Sequence, residues 1–338
     1  MPSNWQRVRL GDIAEIIGGG TPSTQVASFW NGSINWFTPT EIGITKYVHK
    51  SQRTITLLGL KKSSAKLLPI GTILLTSRAS IGDCAILKVV ATTNQGFQSL
   101  IPLEKINNEF LYYLMLTLKN KLLKLASGST FLEVSPNKIK NLLIPLPPLN
   151  EQIAIANVLS DADHYLYSLD ALILKKESVK KALSFELLSQ RKRLKGFNQN
   201  WQKIRLGDIC EITTGSLDAN EMVHYGKYRF YTCAKEYYFI DKYAFDTEAI
   251  LISGNGAYVG YVHYYKGKFN AYQRTYVLDN FSEHIIFVKY FLTMFLQSHI
   301  QTNRNEGNTP YIVMATLKDF EILLPPLNEQ IAIANILS

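Results

Sequence analysis

The hydrophobic and polar positions follow the same order twice along the chain. Short apolar runs rich in Ile, Val, Leu and Tyr, bounded by Gly and Asn, predict β-strands. Two longer segments, 107–125 and 283–301, repeat apolar residues with a helical period and predict helices. The predicted strands are 73–77, 84–90, 98–103, 228–233, 249–253 and 258–265. Each half of the chain therefore predicts a mixed α/β domain.

Residues 149–192 contain no glycine or proline and predict a helix of about 40 residues, roughly 60 Å long. Apolar side chains recur along it with a spacing typical of coiled coils, although Lys176 and Lys180 interrupt the stripe. The positions predicted to face a partner helix are Ile155, Leu159, Ala162, Leu166, Leu169, Ile173 and Leu183. Such a stripe needs a partner helix, because exposed apolar surface is costly.

Two peptides occur twice and frame the two halves. WQRVRLGDIAEI at 5–16 recurs as WQKIRLGDICEI at 201–212, and PPLNEQIAIANVLS at 147–160 recurs as PPLNEQIAIANILS at 325–338. The interiors differ, with weaker echoes: ILLTSRASIGDCAIL (73–87) against ILISGNGAYVGYVHY (250–264), and SGSTFLEVS (127–135) against EGNTPYIVM (306–314). This favours one scaffold that carries two different surfaces. The alternative is an ordinary duplicated domain that has drifted.

The sequence therefore predicts an α+β fold: two mixed α/β domains in a pseudo-twofold repeat, separated by a long coiled-coil-forming α-helix. The predicted boundaries are 1–146 for the first domain, 147–195 for the connector, 196–324 for the second domain and 325–338 for the start of a second connector helix. Because only about ten residues of that second helix are present, we expect the first helix to lack its partner within this chain.

Charge and cysteine content narrow the classes of protein. The net charge of +9 attracts nucleic acid, anionic membranes or acidic proteins, and it is equally compatible with a basic protein that has no polyanionic partner. Cys84, Cys210 and Cys233 are far apart, which favours a reducing cytoplasm over a disulfide framework or a zinc site. No apolar run approaches the roughly 18 residues of a membrane span, and no signal peptide is expected.

Catalytic and cofactor motifs are not found. GGGTPST at 18–24 lacks the spacing of a phosphate-binding loop, and the histidines fall singly, so no metal is implied. The chain has neither the N-P-P-[FY] motif of adenine methyltransferases nor a P-D…[DE]-x-K nuclease signature. The basic run RKRLK at 191–195 could contact DNA backbone, or it could be a solvated helix end.

The repeated motifs strongly resemble those of the specificity (S, HsdS) subunits of type I restriction-modification systems. GTILLTSRASIGDCAI at 71–86 is also similar to the target-recognition domains of that family. The first set of motif residues is Trp5, Leu10, Gly11, Asp12 and Ile13, with PLPPLNEQ at 145–152; the second set is Trp201, Leu206, Gly207, Asp208 and Ile209, with LPPLNEQ at 324–330. The resemblance covers the whole chain.

The resemblance implies two target-recognition domains, each reading one half of a split double-stranded DNA target, joined by helices that set the spacer. An S subunit is not an enzyme and carries no cofactor or metal. It recruits methyltransferase (M) subunits, which bind S-adenosylmethionine, and restriction (R) subunits, the nuclease-translocase that uses ATP and magnesium. A full member continues through a second long helix, so binding of a second M subunit is in question here. The implied location is the cytoplasm of a bacterium or archaeon, with no membrane contact.

The candidate DNA contacts are polar or basic residues in or beside loops. We expect Arg78, Asn255 and Arg274 to contact bases or phosphates, because Arg suits guanine and Asn suits adenine in the major groove. The alternative for any one of them is a solvated turn residue. The full set is Thr38, Thr40, Lys46, Ser77, Arg78, Ser80, Gln95, Lys235, Asn255, Tyr272, Gln273 and Arg274.

Two other functions compete with a DNA specificity subunit. The chain could be a regulatory or inactive form that dimerises, or that pairs with another S chain through the connector helix and thereby changes specificity. It could also be a methyltransferase or nuclease acting alone, which the missing motifs argue against. The sequence does not fix the DNA target or the spacer.

Overall fold

The structure, a computed structural model, describes residue 2 and residues 4–128, 132–302 and 310–338. It divides into two compact units, Met1–Asp170 and Ala171–Ser338, called here the first and the second unit. The predicted α+β class is confirmed, with a long helix lying between two mixed domains. Within the described ranges, no helix combines the length and hydropathy needed to cross a membrane.

The first unit holds two larger sheets and a two-stranded pair. The orders are β2-β9-β6-β7-β4, β5-β3-β8 and β1-β10. The strands are β1 (Gln6–Arg9), β2 (Ala14–Gly18), β3 (Trp30–Phe37), β4 (Tyr47–Val48), β5 (Arg53–Ile55), β6 (Ile73–Leu75), β7 (Cys84–Leu87), β8 (Ala91–Thr93), β9 (Gln98–Pro102) and β10 (Leu143–Leu146). The helices are α1 (Leu57–Lys61), α2 (Asn108–Leu125), α3 (Pro136–Lys140) and the start of α4 (Leu149–Leu188).

The second unit repeats this plan with one continuous sheet. Its order is β12-β17-β15-β16-β13-β14, beside a β11-β18 pair. The strands are β11 (Gln202–Arg205), β12 (Glu211–Thr214), β13 (Tyr228–Tyr231), β14 (Tyr238–Ile240), β15 (Phe245–Ser253), β16 (Val262–Ala271), β17 (Thr275–Asp279) and β18 (Glu321–Leu324). The helices are α5 (Ile285–Thr302), α6 (Met314–Lys318) and α7 (Leu327–Leu337).

Strand pairing follows the same plan in the two units. Glu15 pairs with Ile101 and Glu211 pairs with Asp279, so β2–β9 corresponds to β12–β17. The parallel pairing of β3 with β8 corresponds to that of β13 with β16. The ten-residue strand β16 takes the places of both β7 and β8, which explains why two sheets of the first unit become one in the second.

Each unit has a core between its sheet and its 18-residue helix. In the first unit, Phe110, Leu111 and Met115 of α2 belong to the same buried cluster as Ile73 and Leu100 of the sheet. In the second unit, Phe287, Phe291 and Leu292 of α5 join Ile250 and Leu278 in the same way. The helical period seen in the sequence is thus the period at which α2 and α5 bury their side chains.

The predicted strand 258–265 begins too early. β16 starts at Val262, and residues 254–261 form a turn instead. Gly256 and Gly260 both have φ +81, a conformation that favours glycine and ends an extended strand. The amide of Gly260 donates to the carbonyl of Ser253 at 2.8 Å, which closes the turn.

The predicted connector helix is confirmed as α4, which ends at Leu188 and not at 192. Its first turns pack on the first unit and its last turns on the second, through Ala156 and Leu187 respectively. Between these ends the apolar stripe of the helix is exposed to solvent: Leu166 is 59% exposed and Ile173 is 54% exposed. A partner outside the described residues of this chain would be needed to cover that stripe.

Candidate nucleic-acid interface and helix anchors

In the first unit, three loops meet at one end of the sheets, which we call the first loop edge. They follow β3 and β6 and precede β9. The Ser77 amide donates to the Gly96 carbonyl at 2.7 Å, and the Asn94 amide donates to the Phe37 carbonyl at 3.0 Å. Thr21 joins them by donating its hydroxyl to Gln95. Distant parts of the sequence are thereby held at one edge.

The second unit builds an equivalent second loop edge. The Gly254 amide donates to the Arg274 carbonyl at 2.8 Å, and the Tyr272 amide donates to the Tyr231 carbonyl at 2.9 Å. Lys235 lies on the same edge, with its ammonium 5.4 Å from the ring centroid of Tyr258. The backbone frame is shared by the two edges, while the side chains on it differ.

The two loop edges bring together eleven of the twelve predicted contacts. Thr40, Gln95, Lys235, Gln273 and Arg274 are exposed. Thr38, Arg78, Ser80, Asn255 and Tyr272 are half-buried.

Ser77 lies on the first loop edge but faces inward. Its residue is 1% exposed, and its hydroxyl donates to the Gly96 carbonyl at 3.2 Å. The sequence could not separate Ser77 from Arg78, because both follow the same strand. The packing gives Ser77 a structural role.

Arg78 and Asn255 occupy equivalent places on the two edges. Arg78 forms an isolated bridge with Glu133, and Asn255 forms one with Tyr311. The Arg78 guanidinium lies 2.8 Å from the Glu133 carboxylate and stays 42% exposed. The echo of 127–135 in 306–314 lies partly outside the described residues. In its described part the bridges make Glu133 equivalent to Tyr311, one position away from the alignment read from the sequence.

Lys46 lies away from the loop edge and braces helix α4. Its side chain is 13% exposed, and its ammonium lies 2.6 Å from the Glu109 carboxylate and donates to the Tyr113 and Ser160 hydroxyls. Burial alone would lower the pKa of Lys46, but the hydrogen bonds to Glu109 and Tyr113 outweigh it and raise the pKa. Because Tyr113 also donates to Asp163 at 2.6 Å, the cluster holds α4 against the first unit. This geometry gives Lys46 an internal role.

The repeated Glu-Gln pair fastens α4 to the first unit. Glu151 accepts hydrogen bonds from the Trp5 indole at 2.9 Å and from Asn4 at 3.1 Å. The Gln152 side chain is buried, accepts from the Asn107 amide and donates to the Pro147 carbonyl, both at 2.9 Å. Since Asn107 is the N-cap of α2, one glutamine joins the starts of two helices.

The same pair fastens α7 to the second unit. The buried Glu329 carboxylate accepts from the Arg193 guanidinium at 2.8 Å and from the Trp201 indole at 3.3 Å. Gln330 accepts from the His284 amide at 3.0 Å and donates to the Pro325 carbonyl at 2.9 Å. The basic run 191–195 therefore points one arginine inward, so Arg193 is not a solvated helix-end residue.

Sequence reasoning missed these anchors, although their signal was visible. The two peptides are repeated although the interiors differ, and in each unit the Trp of the first peptide donates a hydrogen bond to the Glu of the second at the start of a helix. In the second unit, the guanidinium of Arg229 on β13 lies 4.2 Å from the centroid of the Tyr237 ring and 4.5 Å from that of the Tyr265 ring. Among the described residues, no carboxylate pairs with Arg229.

Two segments, residues 2–176 and 198–338, match the family of the type I restriction modification DNA specificity domain. The chain belongs to this family. It is 30% identical to the type I restriction enzyme MjaIX specificity subunit of Methanocaldococcus jannaschii, over 96% of this chain and 84% of the relative. A shorter stretch, 40% of this chain, is 41% identical to 30% of the EcoDI specificity subunit of Escherichia coli.

Solved S subunits share the fold. The type I S subunit from M. genitalium matches with a TM-score of 0.64 and 19% identity, over 99% of this chain and 88% of that structure. The HsdS subunit from Thermoanaerobacter tengcongensis matches with a TM-score of 0.56 and 20% identity, over 100% and 89%. The chain is thus a specificity subunit with two DNA-recognition domains, and the resemblance drawn from its repeated motifs is confirmed.

Proposed function

We propose that this specificity subunit is non-catalytic and reads a bipartite duplex target, with each loop edge contacting one half-site. The observation that carries the proposal is that the two units build the same loop edge from backbone hydrogen bonds but place different side chains on it. Arg78 takes the place of Asn255, and Gly96 takes the place of Arg274, on the same hydrogen-bonded frame. A shared frame with different polar groups suits two different base sequences.

The chemistry of these groups fits base-edge readout. Arg78 presents a guanidinium whose position is fixed by Glu133 while much of it stays exposed, so a bidentate contact to guanine is available. Asn255 can bind adenine by its paired donor and acceptor. Each such contact discriminates against the wrong base by about 1–3 kcal/mol. Ser77 and Lys46 are left out of this proposal, because their side chains serve internal bonds.

The open stripe of α4 is the surface proposed to receive partner subunits. Leu166, Leu169 and Ile173 are exposed in its central part. M subunits, which bind S-adenosylmethionine and carry out methylation, would bind this stripe. R subunits, which use ATP and magnesium, would join the complex through the M subunits. Because the substrate of such a complex is chromosomal DNA, the proposed location is the cytoplasm.

The test is a methylation map in a methylation-free host that expresses this chain with its M subunit. We expect a split motif with a fixed spacer. Arg78→Ala should relax bases in one half of the motif only, and Asn255→Ala should relax bases in the other half only. The two variants serve as controls for each other. If both changed the same half, or if neither changed any position, the assignment of the edges would be wrong.

Self-association through α4 is a second candidate, favoured by the same exposed stripe. Two chains that pair their α4 helices would use one loop edge twice and methylate a palindromic motif. Sedimentation of the free chain over a wide concentration range separates the candidates. A constant monomer mass argues against pairing, and a mass that doubles with concentration supports it.

A further inference from the structure

The paired end strands carry cations in both units, and among the residues that the structure describes, ion pairs neutralise them in the second unit but not in the first. Lys203 forms an ion pair with Glu321, and Arg205 forms one with Asp319. The equivalent cations in the first unit are Arg7 and Arg9, because β1–β10 aligns with β11–β18.

The positions of the carboxylates are occupied by other residues in the first unit. Leu143 stands where the second unit has Glu321, and Asn141 stands where it has Asp319. Among the described residues, no carboxylate forms an ion pair with Arg7 or Arg9. Two exposed charges are therefore left uncompensated on a scaffold that compensates them elsewhere.

Arg7 opens onto a groove of about 450 Å³ in the first unit. Lys121 from α2 and Lys138 from α3 line the same groove, together with Asn137, Asn141 and Leu143. Leu125 and the buried Leu142 complete the lining, and none of its eight residues is acidic. The groove therefore combines three cations with two amides, the groups that bind phosphate oxygens.

The groove continues from the first loop edge through a series of contacts. Arg78 pairs with Glu133, and Glu133 forms a bridge with Ser127. The Ser127 hydroxyl accepts a hydrogen bond from the Lys138 ammonium at 3.0 Å. These contacts link Arg78 on the first loop edge to Lys138 in the groove.

We propose that this groove binds the phosphate backbone of duplex DNA next to the half-site that the first unit reads. The proposal rests on the function proposed above. In this proposal the first unit contributes more phosphate contacts to DNA affinity. The second unit, whose cations are paired, contributes affinity mainly through its loop edge. The continuity with Arg78 favours DNA over an acidic protein as the occupant.

The test exchanges the neutralising carboxylates between the units. Leu143→Glu with Asn141→Asp introduces them into the first unit, and Glu321→Leu with Asp319→Asn removes them from the second. All four positions are at the surface or half-buried at most, and thermal unfolding confirms that each variant folds. Affinity of the complex with M subunits for a cognate duplex is measured against salt concentration, and methylated sites are mapped in parallel.

We expect the first-unit exchange to weaken DNA binding and to flatten the salt dependence. Of the two cations that the new carboxylates neutralise, Arg7 lines the groove and Arg9 does not. Loss of the Arg7 phosphate contact lowers the log–log slope by about 0.9, so the deficit in affinity should shrink about 3.5-fold between 50 and 200 mM salt. The methylated motif should stay the same, because phosphate contacts carry no sequence information. The second-unit exchange should strengthen binding and steepen the slope.

Three outcomes would overturn the proposal. An unchanged salt slope in the first-unit exchange would show that the groove touches no phosphate. Weaker assembly with M subunits, at unchanged DNA affinity of the assembled complex, would make the groove a protein-docking surface. A changed motif would make it a base-reading surface. If the unaltered complex showed no sequence preference, the proposed function itself would fail, which is a separate result.

Discussion

Glu329 and Glu151 occupy the same position of the repeated peptide, but their surroundings predict very different costs of removal. Glu329 is fully buried and its carboxylate binds a guanidinium and an indole. Glu151 is only half-buried and binds an indole and an amide, both neutral. The comparison separates the effect of the charge pair from that of the local sequence, which is the same.

Breaking a buried pair by removing one partner costs about 3–5 kcal/mol, because the other charge stays buried without compensation. Arg193 is 28% exposed, so Glu329→Ala should lie near the lower end of that range. Glu151→Ala loses hydrogen bonds to a charged acceptor, at about 1.5–3 kcal/mol. We therefore expect the Glu329 variant to lose roughly 1 kcal/mol more than the Glu151 variant.

The assay is hydrogen exchange at increasing urea, read by mass spectrometry on peptides from 5–16 and 201–212. Each variant should lower the unfolding free energy of its own unit. Glu329→Leu combined with Arg193→Met should recover much of the loss, since an apolar pair leaves no buried charge. An equal or larger effect for Glu151→Ala, or no recovery in the double variant, would refute the reasoning.

Three further predictions concern single groups. Lys46→Met should destabilise the first unit by about 2–3 kcal/mol, because Glu109 loses its cation, and urea titration at neutral pH would measure this loss. Since the folded pKa of Lys46 is raised, the loss should hold from neutral pH up to 10.5 and should vanish as the pH rises further, through the folded pKa. Burial lowers the pKa of His263 from 6.5, so the second unit should lose stability as the pH falls below 6.5 towards the folded pKa. His263→Gln should remove that pH dependence, and urea unfolding midpoints measured between pH 7 and 5 would show it. Gly19→Ala should lower the free energy of unfolding by about 1–3 kcal/mol or more in the same titration, because the added Cβ would lie 1.9 Å from a backbone carbonyl oxygen. Gly18→Ala is the control: its Cβ meets no atom closer than 3.7 Å, so its effect on stability should be nearly neutral.

The duplicated ends and the helical periods were readable because they depend on local pattern. Helix α4 followed from a long stretch without glycine or proline, and α2 from its apolar period. The boundaries of β16 were missed, because positive φ at Gly256 and Gly260 turns the chain where its composition still favours a strand.

The sequence by itself determined the family, the two-domain plan and the connector helix, because repeated motifs and hydrophobic periods are properties of neighbouring residues. Only the tertiary structure decided the role of each polar side chain. Ser77 and Arg78 are adjacent in sequence, yet one is buried against Gly96 and the other is half-buried with its guanidinium paired to Glu133. Arg193 turns inward to Glu329, while no carboxylate in the described part of the chain pairs with Arg7, since Leu143 stands where the second unit has Glu321. These differences arise from which residues meet across strands and helices, and that depends on contacts between distant parts of the chain.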